Sequence, residues 1–328
     1  MTSLTQMFNR SMRCCTAAVL CIAAAWGLAV APAQAADYPV KPVTIVCWSA
    51  PGSPVDVFAR KLAQLLEKEF GQPFVVETKT GGSGVVAVNY MLSRPADGYT
   101  IMANTATLTT LFSEKGVKFK PADLHMIARL QIDPFGLLVP AGSPFRTIDD
   151  MLKQAKANPG KVNVGGPFAM SAHRVAFEKF MEIAGIDATW VPFEGGGPVL
   201  TAVAGGHVDV GHTNPGNAKA QVAAGKIRVL AVSSDQRHPD FPDAPTYKEK
   251  GINLVAAQWR GVMAKAGTPK PVVDRLSAAI QKIRQTDEWK TFLKQVGQLD
   301  GYQDPAAFTN TVLTEMKDIE QVKKRLGL

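Results

Sequence analysis

Cysteine is nearly absent where it would matter. Of four cysteines, Cys14, Cys15 and Cys21 fall within the first 35 residues, and only Cys47 lies beyond them. A chain that loses that leader can form no internal disulfide, so a large apolar core must supply its stability. Long hydrophobic runs are missing too. The apolar stretch TAAVLCIAAAWGLA (16–29) is shorter than the roughly 20 residues that cross a bilayer. Arg10 and Arg13 precede it, and Ala33 and Ala35 follow at a small-residue cleavage pattern. Residues 1–35 therefore read as a secretory signal peptide cut before Ala36, and the export signal with no disulfide points to a periplasm. Lipid attachment at Cys21 is disfavoured by Leu20, which stands where a small residue is wanted. No low-complexity tract, solenoid period or charge block occurs. No basic run is interleaved with aromatics, so nucleic acid is not an expected partner.

What is present fits a soluble α/β protein. Apolar residues make up 46% and charged residues 20% of 328 residues, enough for about two domains. The formal charge of +8 falls to +6 without the leader, a mild surplus compatible with attracting anions. Buried-strand runs alternate with helical periodicity: PVTIVCW (42–48), a helix over 56–70, PFVVETK (73–79), a helix over 84–94, and YTIMAN (99–104). The rhythm restarts with FGLLVP (135–140), a helix over 147–160, KVNVGG (161–166), a helix over 172–185, ATWVPF (188–193), a helix over 198–206 and VDVGHT (208–213). A helix from Pro215 and IRVLAVSS (227–234) follow. QWRGVMAK (258–265) then opens a tail of three helices, 269–286, 288–297 and 305–327. The spacing implies βαβ units and two α/β sheets, with the tail free to return to either.

Five strand-to-helix corners are rich in Gly, Ser, Asn or Pro: APGSP (50–54), GGSG (81–84), GGPFAMS (165–171), GGGP (195–198) and TNP (213–215). Ser53-Pro54 places a capping residue before a proline at the first helical position, with Asp56 three residues on, as in a capping box. Gly197-Pro198 and Asn214-Pro215 repeat the device. Helix N-termini that converge at the carboxyl ends of strands bind anions through free N–H groups and the dipole. Each dipole contributes roughly 0.3–2 kcal/mol. Direct charge-assisted bonds add about 1.5–3 each. Micromolar binding needs only about 8 kcal/mol in all, so a small carboxylate can be held without a dedicated arginine. Trp48, Phe168, Phe193 and Trp259 stand beside these corners as candidate walls, and His173 beside Ser171 as a candidate polar lining residue.

Other chemistry is weakly supported. GSGVVA (82–87) has dinucleotide-loop spacing, but the following strand ends without the acidic residue that would hold a ribose. His207, Asp209 and His212 would split across two faces of a strand, so no metal is expected. Cys47 has no adjacent base and reads as an apolar filler. No cofactor is expected.

The stretches YPVKPVTIVCWSAPGSPVDVFARKLAQLLEKEFGQPFVVETKTGGSGVVAVNYMLSRPADGYT, VNVGGPFAMSAHRVAFEKF, VPFEGGGPVLTAVAGGHVDVGHTNP and QWRGVMAKAGTPKPVVDRL occur in that order. Across essentially the whole mature chain they resemble the Bug family, the periplasmic substrate-binding proteins of tripartite tricarboxylate transporters. The resemblance implies a two-lobed periplasmic-binding-protein clamshell of type II-like α/β architecture. Lobe 1 would take 36–131 and 258–328, lobe 2 would take 132–257, and the ligand would lie between them. It implies a small di-, tri- or aromatic carboxylic acid as ligand, a two-component membrane permease as partner, a monomer, and no catalysis. The first βα loop would hold one carboxylate, with Trp48 in the aromatic place, Ser49, Ala50, Gly52 and Ser53 in the turn and Asp56 as the acid. Asn104 and Thr105 would follow the third strand. Phe168, Ser171 and His173 would form the second-lobe loop, with Phe193, Gly196, Asn214 and Trp259 completing the site. Ser53 stands where the family has a second glycine, and Phe168 and Met170 are more apolar than usual. The alternatives are a secreted enzyme using Cys47 or His173 in the cleft, and a protein that presents its ligand to a sensor kinase.

Overall fold

The computed structural model describes residues 38–327 apart from residue 115; the leader and its cleavage point lie outside the described residues. The unit from Lys41 onward runs β1 (Val43–Cys47), α1 (Pro54–Phe70), β2 (Phe74–Thr78), α2 (Val85–Leu92), β3 (Thr100–Thr105), α3 (Thr107–Leu111), β4 (Leu124–Pro134) and β5 (Gly136–Pro140). It continues with α4 (Ile148–Ala157), β6 (Asn163–Pro167), α5 (Ala172–Ala184), β7 (Thr189–Phe193), α6 (Gly196–Ala204), β8 (Val210–Thr213), α7 (Lys219–Ala223) and β9 (Ile227–Val232). The last elements are β10 (Ala257–Lys265), α8 (Lys270–Gln285), α9 (Asp287–Val296), β11 (Leu299–Gln303) and α10 (Pro305–Leu326).

Two sheets result. The first has the order β11-β4-β10-β3-β1-β2, the second β7-β6-β8-β5-β9. Strand β1 is apolar apart from Thr44 and pairs in parallel with β2 and β3, as a strand covered on both faces should. Helix α1 starts where Ser53 Oγ accepts from the Asp56 N–H, and ends at Gly71, whose φ of 68° only glycine adopts cheaply. Its stripe of Phe58, Leu62 and Leu66 is fully buried. Beside the second sheet, Thr147 and Asp150 form the reciprocal capping box at α4. Gly166 in β6 gives Trp190 its place: a Cβ there would fall 1.9 Å from the indole ring.

The structure departs from the sequence expectations in five places. Strand β4 was not anticipated, because His125, Arg129, Gln131 and Asp133 break its apolar pattern; it is the longest strand and pairs antiparallel with β10 and β11. Strand β11 and helix α3 were also missed. Helix α6 starts at Gly196, capped by Gly195, so Pro198 sits inside the first turn and not at its first position. After Pro215 the chain makes a 3₁₀ turn and then the five-residue α7, not one continuous helix.

The chain passes from the first sheet to the second at Phe135 and returns just before Ala257. These passages are tied together. The Ser233 hydroxyl accepts from the Phe135 N–H at 2.8 Å and can donate to the Ala256 carbonyl. Ser233 N–H donates to Phe135 O at 2.8 Å, and Ala256 N–H to Ser233 O at 3.1 Å. The layers around the two sheets also meet elsewhere. Val175 of α5 packs on Ile319 and Val322 of α10, flanked by a Lys179–Asp318 ion pair at 2.6 Å. Gly216 lies so close to the end of α9 that a Cβ on it would come 2.8 Å from the Gly297 carbonyl oxygen.

Two outcomes follow for stability. Replacing Gly166 by Ala should destabilise by about 2 kcal/mol or more, through overpacking against Trp190, and is read by denaturant unfolding. The Glu315 carboxylate accepts from Trp259 Nε1 at 2.9 and 3.0 Å, and burial outweighs that bond and Arg129 to raise its pKa to about 7. With the folded pKa above the unfolded one, the folded state holds the extra proton between about pH 4.5 and 7, so stability falls as pH rises through that window. Glu315→Gln keeps an acceptor for Trp259 but cannot ionise. Its melting temperature relative to the wild type should therefore rise from pH 5 to pH 8; an unchanged difference would refute the assignment.

Candidate functional site

A cavity of about 920 Å³ opens between the two sheets, lined from both sides. From the first unit come the β1–α1 turn (Trp48, Gly52, Pro54), Ser83, helix α3 and the facing strands β4 and β10. From the second come Pro167 to His173, Gly195 and Gly196, and Asn214 with Asn217. Four of the five glycine-rich corners thus meet one space through the starts of α1, α5 and α6 and the turn after β8; Ser83 brings the fifth.

Of the residues singled out from sequence, Trp48, Gly52, Phe168, Ser171, His173, Gly196 and Asn214 line this cavity. The others stand behind the wall or beside it. Asp56 is 2% exposed and braces the first turn: its Oδ2 accepts from the Gly52 N–H at 2.8 Å and from Arg60 Nε at 2.9 Å. It reaches past Ser53 N–H, so only the Ser53 half of the expected capping box forms. Burial works to raise its pKa, but the Arg60 guanidinium and the Gly52 amide prevail and hold it below the usual range. The Ser53 N–H donates to Ala50 O, so two amides of this turn are engaged within it. Ser49 and Ala50 flank the turn without lining the cavity; the Ser49 carbonyl takes the Cys47 S–H. Asn104 and Thr105 are buried and cap the β3–α3 junction, Asn104 Oδ1 accepting from Thr105 N–H and Thr105 Oγ1 from Thr107 N–H. The lining from this corner is Thr107, Thr110 and Leu111 of α3.

On the second side, Phe193 holds the loop from behind. Its carbonyl accepts the Phe168 N–H at 2.7 Å, while the Phe168 carbonyl accepts Trp190 Nε1–H at 3.0 Å. Those two bonds fix Phe168 at φ 56°, a left-handed conformation costly for a non-glycine residue, with its ring 48% exposed at the cavity. Ser171 caps α5, its Oγ accepting from the Arg174 N–H and donating to Pro167 O. No side chain caps α6. Its first amides are the open anion-binding end of that helix. His173 is half-buried against Phe135, with ring centroids 4.2 Å apart. Its Nε2 lies 2.8 Å from Asn214 Oδ1, whose amide nitrogen donates to Asp133 O and Pro134 O. Asn214 is thus oriented as acceptor toward His173, which makes Nε2 the protonated nitrogen. Burial pushes the His173 pKa down to about 4, so the ring is neutral near pH 7.

Trp259 faces away. It is fully buried, edge-on to Phe308, with Nε1 bound to Glu315. Strand side chains alternate, so its neighbours Gln258 and Arg260 take the opposite face, toward the cavity. Antiparallel pairing sets Gln258 opposite Asp133 and Arg260 opposite Gln131, and all four line the floor. Gln298 joins them: Arg260 Nη1 donates to its Oε1 at 2.6 Å, and its Nε2 donates to Asp133 Oδ2 at 2.9 Å. Burial raises the Asp133 pKa to about 6 against the pull of Arg260, Gln298 and Asn214. Sequence reasoning missed this group because it missed β4. The signal available was the pair of polar residues at alternate positions in both QID (131–133) and QWR (258–260).

Cys47 is fully buried, and burial raises its thiol pKa, the reverse of what an activated nucleophile requires. No helix among the described residues is long and apolar enough to cross a membrane.

Comparison with known proteins places this geometry. The family model described as tripartite tricarboxylate transporter family receptor matches residues 58–328. A UPF0065 protein from the gbd 5′ region of Cupriavidus necator is 32% identical over 315 residues, covering 95% of this chain and 96% of its own length. A TctC solute-binding protein from Polaromonas, solved without ligand, superposes with a TM-score of 0.81 at 27% identity, over 88% of this chain and 99% of that one. A protein of R. palustris solved with adipate gives a TM-score of 0.71 at 29% identity, over 88% and 98%. MatC from Rhodopseudomonas palustris, solved with malate, gives 0.67 at 27%, over 87% and 99%. BugT of Bordetella pertussis and the periplasmic binding protein BugD are also similar. Two helix-flanked sheets in a mixed α/β arrangement are the architecture of such binding proteins, and the chain belongs to their family, the Bug-type receptors of tripartite tricarboxylate transporters.

Proposed function

We propose that this protein is exported to the periplasm and there captures a small carboxylate for uptake by a membrane transporter, performing no chemistry on it. The observation that carries the reading is the cavity of about 920 Å³ into which uncapped or serine-capped helix starts point from the second sheet, facing strands β4 and β10 of the first. The sheet-centred halves act as lobes, with the bounds expected from sequence (36–131 with 258–328, and 132–257) shifted to the tied passages at Phe135 and Ala256, about which they close on the ligand. The partner is a two-component permease, and a monomer suffices for capture. The relatives solved with adipate and malate favour an aliphatic acid over an aromatic one. The secreted-enzyme alternative loses support from the inert setting of Cys47 and from a neutral, hydrogen-bonded His173.

Trp48 on the cavity wall supplies the readout. Intrinsic fluorescence titrated with di-, tri- and aromatic carboxylates should saturate for at least one of them at micromolar concentration; silence across the series would defeat the reading. Asp56→Ala frees the Gly52 amide and should cost about 1–3 kcal/mol of stability, through the loss of charged hydrogen bonds in a buried turn. It should also weaken ligand binding measured by calorimetry at a temperature where the variant is folded. A variant that loses stability but binds unchanged would remove the first turn from the site.

A further inference from the structure

Arg260 is 5% exposed, lies in β10 at the cavity floor and makes no direct ion pair among the described residues. Buried guanidinium groups are ordinarily matched by a carboxylate, because an unmatched buried charge is expensive. Here the nearest acid, Asp133, is kept at one remove. Gln298 stands between them, accepting from Arg260 Nη1 and donating to Asp133 Oδ2. Arg260 Nε is buried with no partner. Nη2 has no protein partner and is not among the fully enclosed atoms. The side chain is therefore anchored through one nitrogen while another remains available to the cavity. Its cross-strand neighbour Gln131 and its same-face neighbour Gln258 carry no charge to satisfy it. Among the described lining residues Arg260 is the one cation, and Glu114, the other lining acid, sits beside Lys323 at 3.8 Å.

We propose that Arg260 is the specificity-determining residue for a second carboxylate of the ligand, which supplies the direct ion pair that the fold leaves unmade. This rests on the reading of the cavity as a carboxylate site. One carboxylate meets the helix starts at Ser171 and Gly196, and the other meets the Arg260 guanidinium at the floor. The ligand class is then an aliphatic diacid, and monoacids of equal chain length are rejected because they leave the guanidinium bare.

Calorimetric titration with succinate, glutarate and adipate against butyrate, pentanoate and hexanoate tests this on the mature protein. The wild type should bind its best diacid at least about tenfold more tightly than the matched monoacid. Arg260→Met should weaken that diacid by about thirtyfold or more and leave the monoacid within about threefold, erasing the preference. Arg260→Lys retains the charge without the fork and should fall between. This variant decides the matter if Arg260→Met fails to fold: an unchanged diacid affinity in Arg260→Lys then overturns the proposal. Equal binding of diacids and monoacids by the wild type, or a diacid preference that survives Arg260→Met, also overturns it while leaving the uptake reading intact. Binding of no carboxylate at all overturns both.

Discussion

The pairing of β4 with β10 is the constraint on which the rest depends. These two strands carry the chain out of the first sheet and back into it, and their ends are knotted together through the Ser233 hydroxyl and the backbone of Phe135 and Ala256. Strand parity then distributes roles without further choice. Odd-numbered Gln131 and Asp133 and even-numbered Gln258 and Arg260 share the cavity face, while Trp259 and Ile132 take the core face. A slip of one residue in this register would bury the polar floor and present an indole in its place.

The cavity is electrostatically asymmetric. At the first turn, Asp56 and Ala50 have already claimed the Gly52 and Ser53 amides. The second side keeps α6 uncapped and gives α5 only a serine. The floor holds a guanidinium and a carboxyl separated by one glutamine.

Much of this was legible in the sequence. Strands such as PVTIVCW and the helix expected over 56–70 announce themselves by apolar pattern and caps, and all five glycine-rich corners reach the cavity. What was not legible has physical reasons. β4 alternates core and cavity side chains, so its polar residues resemble a loop until β10 is laid beside it. α3 has five residues, too few to show a helical period. Trp259 drew attention as an aromatic near a corner, yet only pairing parity reveals that its two neighbours, and not the ring, look into the cavity. Asp56, Asn104 and Phe193 stand near the site because they shape it from behind, a role that residue type cannot separate from contact.

The near-touching backbones at Gly216 and Gly297 carry a mechanical consequence. With no side chain on either residue, peptide lies against peptide at this one of several contacts between the two halves. A single methyl group at Gly216 would fall 2.8 Å from the Gly297 carbonyl oxygen, so that edge could keep its fit only if one of the two main-chain segments moved.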